Sequence, residues 1–221
     1  MTKSVTKHTI KASITVLTTA GLVLSTNTGA ATVAATVNDS GDTNVTKTLS
    51  CERIIDHSSS NSDTSLNTNK WYSVNDNVMG GRSVGTFTAH ADHLRFHGSI
   101  NTNGGGFTSI RHDVDARQFT GTDRIRLAIQ SDGRAYHVTL QDKNNRQQST
   151  SHRLPIPTSA NDDYEIVELL FKDFIATFRG RKIETVPFDT TIASTVGIIL
   201  SDSIDGPFEL KIAWIDVCRN D

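Results

Sequence analysis

From Trp71 onward the apolar residues of this chain recur at every second position rather than at every third or fourth. Leu94, Phe96 and Ile100 fall on one face of an extended segment, as do Tyr136, Val138 and Leu140, and then Phe208, Leu210 and Ile212. Successive side chains of a strand point to opposite faces, so this alternation predicts half-buried antiparallel strands. Residues 124–129 alternate charged and apolar side chains at their start, and further strands are expected over 107–112, 165–171 and 195–200. Turn-forming clusters separate them: Asn103-Gly-Gly-Gly106, Ser131-Asp-Gly133, Lys143-Asn-Asn145 and Asp205-Gly-Pro207. No stretch carries a long apolar stripe of helical period. Short strands at this spacing predict an all-β fold, an antiparallel β-sandwich over residues 51–218.

The N-terminus follows another logic. Lys3, Lys7 and Lys11 precede the apolar run from Ile14 to Leu24, and small residues follow from Gly29 to Ala35. A cationic start, a short apolar core and a cleavable small-residue site describe a secretory signal over 1–35, cut between Ala30 and Ala35. The run is shorter than the roughly 20 residues that span a bilayer, so no stable membrane insertion is expected after cleavage. A mitochondrial transit peptide is the alternative, because 1–35 contains no acid; the lack of arginine before Arg53 weighs against it. A periplasmic or secreted location is therefore expected. Residues 36–50 are polar and aperiodic, and are expected to be a disordered linker; the Ser- and Asn-rich stretch 58–69 is expected to be a surface loop. Removal of 1–35 leaves 19 basic against 24 acidic residues, a formal charge of −5. Such a surface gives no electrostatic help to nucleic acid or anionic lipid, and neither is expected as a partner.

Two cysteines, Cys51 and Cys218, sit at the ends of the expected domain. In an oxidising compartment they are expected to form one bridge between neighbouring termini; two free thiols are the cytosolic alternative.

Three patterns invite catalytic or metal chemistry. Gly81-Arg-Ser-Val-Gly85 matches G-x-S-x-G, but strand-like sequence follows Ser83 where a nucleophile elbow needs a helix. His90, His93 and His97 lie close in sequence, yet four residues of strand span roughly 13 Å, too far for one ion. Asp76, Asp132 and Asp173 lie near turns, where carboxylates commonly cap backbone. Neither catalysis nor a cofactor or metal is expected. The segments Asn75-Asp-Asn-Val-Met-Gly-Gly-Arg-Ser83 and Asn103-Gly-Gly-Gly-Phe107 are either tight turns that support the sandwich or the rim of a polar ligand surface.

At these segments the chain resembles the complex I intermediate-associated protein 30 family. Trp71 to Ser83 is similar to its W-x-x-V-N-D-x-V-M-G-G-x-S signature, and Asn103 to Arg111 to its N-G-G-F-x-S-x-R segment, with one extra glycine. Asp132-Gly-Arg-Ala-Tyr136 resembles a G-D-G-x-x-Y block, with Ser131 in place of Gly. Phe171-Lys-Asp-Phe174, Phe178-Arg-Gly180 and Gly206-Pro-Phe208 follow in the family's order. The resemblance implies a galactose-binding-domain-like jelly roll and a non-enzymatic, chaperone-like assembly role with a protein partner. A secretory leader and the cysteine pair depart from the mitochondrial members, so the expected partner is an envelope or respiratory-type complex. A carbohydrate-binding module is the alternative by fold analogy. The polar members of the matching blocks are the expected binding residues: Asn75, Asp76, Arg82, Asn103, Arg111, Asp132, Arg134 and Arg179. Trp71, Met79, Phe107, Tyr136, Phe174 and Phe208 are expected to be structural.

Overall fold

A computed structural model describes residues 48–58, 70–143, 150–157, 159–178, 180–183 and 186–221. The expected signal, the linker up to residue 47, most of the 58–69 loop, the end of the turn at 143–145 and Arg179 lie outside the described residues. In chain order the strands are β1 (Leu49–Asp56), β2 (Trp71–Asn75), β3 (Val84–Ala89), β4 (Leu94–Ile100), β5 (Thr108–Asp113), β6 (Arg124–Ser131) and β7 (Tyr136–Asp142). They continue as β8 (Thr150–Pro155), β9 (Glu165–Leu170), β10 (Ile175–Phe178), β11 (Arg181–Lys182), β12 (Ala193–Leu200) and β13 (Gly206–Asn220). One helical turn, α1 (Ala116–Phe119), lies between β5 and β6, with the Asp115 carboxylate accepting the Arg117 amide at its start.

Two antiparallel sheets form. One runs β3-β4-β13-β6-β9 with β1 also paired to β13; the other runs β11-β10-β8-β7-β12-β5-β2. The 15-residue β13 is the spine of the first sheet. It pairs with β6 on one edge, and on the other with β4 through Gly206–Ile212 and then β1 through Trp214–Asn220. The alternation in the sequence marks the inner faces: Leu94, Phe96, Tyr136, Val138, Leu140, Leu210 and Ile212 are all fully buried. Phe96 and Phe208 meet edge to face at 4.8 Å, with Tyr136 6.4 Å from each. Phe119, Phe171 and Phe188 close the other end of the core.

Strands β1, β2, β8, β10 and β11 do not stand out in the sequence. In β8 the inward residue is His152, buried and bonded through Nε2 to the Val186 carbonyl, so the apolar signal is broken. β1 begins two residues ahead of the expected domain start because Leu49 and Ser50 pair with Asn220 and Arg219.

Cys51 and Cys218 face each other across the β1–β13 ladder and form a disulfide. The bridge joins residues 167 apart, so on the chain-entropy account it removes about 5 kcal/mol of freedom from the unfolded chain. A Cys51→Ala/Cys218→Ala variant, or the reduced protein, is expected to lose up to that amount in urea denaturation at pH 7.

His57, Trp71 and His112 form a buried cluster, with ring centroids 6.3 Å (His57–Trp71) and 5.0 Å (Trp71–His112) apart. Among the described residues, both His57 ring nitrogens, Trp71 Nε1 and His112 Nδ1 have no hydrogen-bond partner. Burial pushes the His112 pKa down to about 4 and lowers that of His57 as well. The unfolded imidazole titrates near ~6.5. Stability is therefore full above that pH and is lost as pH falls toward about 4, because the unfolded chain takes up protons that the folded chain refuses. His112 alone is expected to contribute about 3 kcal/mol of this loss, and urea titrations of His112→Phe between pH 7 and 4.5 should show a correspondingly shallower slope.

Candidate functional site

Strand register aligns Tyr72 (β2), Arg111 (β5), Gly197 (β12), Thr139 (β7), Arg153 (β8) and Ile175 (β10) in one row across the seven-stranded sheet. Their neighbours Trp71, His112, Val196, Leu140, His152 and Ala176 are buried between the sheets, so the row faces outward. A groove of about 1160 Å³ runs over this face. In the same row Gly197 is closely packed, since a Cβ there would lie 2.6 Å from the Ile110 carbonyl oxygen and 2.9 Å from Thr139 Oγ1. The Arg111 stem crosses that position, with its Cγ 3.1 Å from the same hypothetical Cβ. Gln141, Ser151 and Thr195 line one part of the groove, and Val74, Ile199 and Phe107 another.

One end of the groove is built by the two glycine-rich segments, and a single carboxylate explains both. Asp76, fully buried, opens a 3-10 turn (Asp76–Met79). Its Oδ1 accepts the Ser83 amide at 2.9 Å; its Oδ2 accepts the Ser83 hydroxyl at 2.6 Å and the Gly106 and Phe107 amides at 2.6 and 3.3 Å. Cβ atoms at Gly81 and Gly105 would each lie 2.2 Å from this carboxyl group, so only glycine lets both loops close on it. Burial pushes the Asp76 pKa up, but the Ser83 hydroxyl and the three amides outweigh it and hold the group ionised below the usual carboxylate range. The turn then carries Val78 and Met79 out at the groove's edge, 73% and 65% exposed.

Most of the expected binding residues have structural partners. The Asn75 amide donates to the Gly85 carbonyl and accepts from the Gly85 amide and the Thr108 hydroxyl, joining β2, β3 and β5. Asp132 accepts the backbone amides of Arg134 and Glu209. Arg134 pairs with the buried Asp202 at 2.7 Å and donates to the Ile204, Gly206 and Pro207 carbonyls, pinning the chain ahead of β13. Arg82 and Asn103 are exposed in their loops. Among the described members of the set, Arg111 and Asp76 line the groove, and Arg111 lies on its floor. Met79, expected to be structural, is exposed, and Phe107 is half-buried at the groove, because the turn and loop that carry them are held by Asp76 rather than by the core. Trp71, Tyr136, Phe174 and Phe208 are buried.

Sequence reasoning missed Tyr72, Arg153 and Gly197. They lie on strands whose pairing order is not visible along the chain, although Ser151, Arg153 and Pro155 do alternate with His152, Leu154 and Ile156. Ser83 gives its hydroxyl to Asp76, and the next strand after it is β3. His90 and His93 stack at 4.5 Å, while His97 meets Thr88 Oγ1; among the described residues no group of three or more His, Cys, Asp or Glu is placed to hold a metal ion.

These roles separate in a stability measurement. Asp76→Ala strands a buried hydroxyl and three amides, and is expected to cost more than about 3 kcal/mol in chemical denaturation. Arg111→Ala breaks no internal contact of this kind and should stay within about 0.5 kcal/mol of the parent.

Among solved structures, the family 11 carbohydrate-binding module from Clostridium thermocellum, in complex with a β-1,3-1,4-mixed-linked tetrasaccharide, is similar at a TM-score of 0.51 and 13% identity, over 76% of this chain and 95% of that one. A carbohydrate-binding module that recognises mannan is similar at 0.44 and 9% identity, over 78% and 99%. The likeness to the first is one of fold, a jelly-roll β-sandwich. A comparison with curated protein sequences gives no significant match. Among the described residues no helix is long and apolar enough to cross a membrane. The sequence pattern of complex I intermediate-associated protein 30 matches residues 57–212, with Cys51 and Cys218 just outside on either side. The chain belongs to the complex I intermediate-associated protein 30 family.

Proposed function

We propose that this chain is an exported, non-enzymatic binding module that serves as an accessory or assembly factor by holding a protein partner in the groove over the seven-stranded sheet. The observation that carries this function is the groove: about 1160 Å³ of open space on a continuous hydrogen-bonded platform, with arginines on its floor and an aliphatic lip at one end. A rigid sheet presents such a face at little entropic cost, which is what capture without chemistry requires. Two of the carboxylates nearest the turns, Asp76 and Asp132, are engaged in structural hydrogen bonds, and the Ser83 hydroxyl is committed to Asp76 rather than to a histidine. Family membership supports an assembly role, and the disulfide supports an oxidising compartment such as the periplasm or the exterior.

A glycan in the same groove is the second reading. It is favoured by the half-exposed Tyr72, which offers one stacking platform on the outer face, and by the tetrasaccharide carried by the similar family 11 module. The lip of Val78 and Met79 suits an apolar side chain better than a sugar ring, which ranks protein first.

Affinity capture with the full chain, from the cell that makes it, tests the proposal. Tyr72→Ala is expected to reduce recovery of the partner severalfold at an unchanged melting temperature, whereas Thr86→Ala on the six-stranded sheet should recover it in full. Loss with Thr86→Ala but not Tyr72→Ala would move the site to the other sheet. Retention of a soluble glycan in place of any protein would replace the first reading with the second.

A further inference from the structure

The two sheets treat their arginines differently. On the six-stranded sheet every arginine is matched to a carboxylate: Arg53 to Asp216, Arg95 to Glu209, Arg124 and Arg126 to Glu168, and Arg219 to Asp221. On the floor of the groove, Arg111 has no ion pair or side-chain hydrogen bond among the described residues, and Arg153 donates only its Nε, to Ser151 Oγ at 3.2 Å. Both are half-buried. Each has therefore given up part of its water shell with no anion in exchange, a costly arrangement unless a ligand supplies one.

Their placement concentrates the charge. Arg153, Thr139, Gly197 and Arg111 stand on four successive strands of one row, so their backbones span about 14 Å and their long side chains lean into the same space. Thr139 is buried beneath them, and the absence of a side chain at Gly197 lets the Arg111 stem pack over the sheet there. Burial and the positive charge of Arg111 together hold the Arg153 guanidinium below its ordinary range, as two like charges in one groove should. Asp113, two residues beyond Arg111 on the same face, is exposed and pairs with neither; Asp142 borders the groove but is itself buried.

We propose that Arg111 and Arg153 form an anion clamp for the carboxylate of an extended acidic peptide segment, whose neighbouring apolar side chain rests on Val78 and Met79. This rests on the groove being the binding face and names the chemistry that it selects. Guanidinium forks match carboxylates in charge and in geometry. An acidic polysaccharide would satisfy the arginines as well, but it would leave the aliphatic lip without a partner.

The test uses the full oxidised chain and three probes: a short labelled peptide of glutamate and leucine, its glutamine counterpart, and an oligogalacturonate. Fluorescence polarisation is expected to show the glutamate peptide binding about tenfold or more tighter than the glutamine peptide, and weakening as salt is raised. Arg111→Gln and Arg153→Gln should each weaken it by about tenfold, Arg111→Lys by less, and the exposed control Lys172→Gln not at all. Equal binding of the two peptides, no binding of the acidic one, or tighter binding of the oligogalacturonate overturns the proposal. The failures are distinguishable: if only the clamp is wrong, Arg111→Gln still captures the natural partner while Tyr72→Ala does not. If the groove is wrong, neither substitution changes capture.

Discussion

The Asp76 carboxylate is bonded to two loops, through Ser83 and through Gly106 and Phe107, and the shape of the groove end depends on it. Four hydrogens converge on its two oxygens, from Ser83, Gly106 and Phe107. A buried carboxylate is tolerable because those donors replace its water, and it in turn satisfies amides that have no strand to pair with. The glycines at 81 and 105 follow as a steric requirement, since any side chain there would occupy the volume of the carboxyl group. Once the loops are locked, the 3-10 turn has one path left, which carries Val78 and Met79 to the edge of the open sheet. Asn75, Asp76 and Ser83 of the family's motif thus shape the end of the groove through hydrogen bonds within the chain.

β13 plays the corresponding part for the other sheet. It is long enough to pair with β4 and then β1 along a single edge while β6 covers the other. The disulfide fastens β1 to this spine and lies just beyond the segment shared with the family. Its stabilisation comes from the length of chain it closes, and neither cysteine lines the groove. Charge is divided along the same line. The spine sheet neutralises its arginines internally, whereas Arg111 and Arg153 on the groove sheet have no carboxylate partner among the described residues.

Much of the fold was legible because burial on one face writes a period of two into the chain. Phe96, Tyr136 and Leu210 were readable as core for that reason, and the turn glycines marked the strand ends. Strand β8 escaped because its inward positions include His152, and β10 and β11 because four and two residues are too few to establish a period. At the site, residue type does not reveal partners. Asn75, Asp76, Asp132 and Arg134 have the chemistry of ligand contacts, and the fold gives each of them hydrogen bonds to backbone groups of the chain as well.

By itself the sequence determined most of the longer strand segments with their inner faces, the family and the two cysteines able to join the ends of the domain. All of these follow from local periodicity, from motifs of contiguous residues and from the count of a rare residue type. Only the tertiary structure decided which strands became neighbours, and with that the row from Tyr72 through Arg111, Gly197 and Thr139 to Arg153. Those positions lie far apart along the chain and meet because antiparallel pairing places one residue of each strand opposite one of the next. The face that carries the groove is a property of that register, which cannot be read from residues taken one segment at a time.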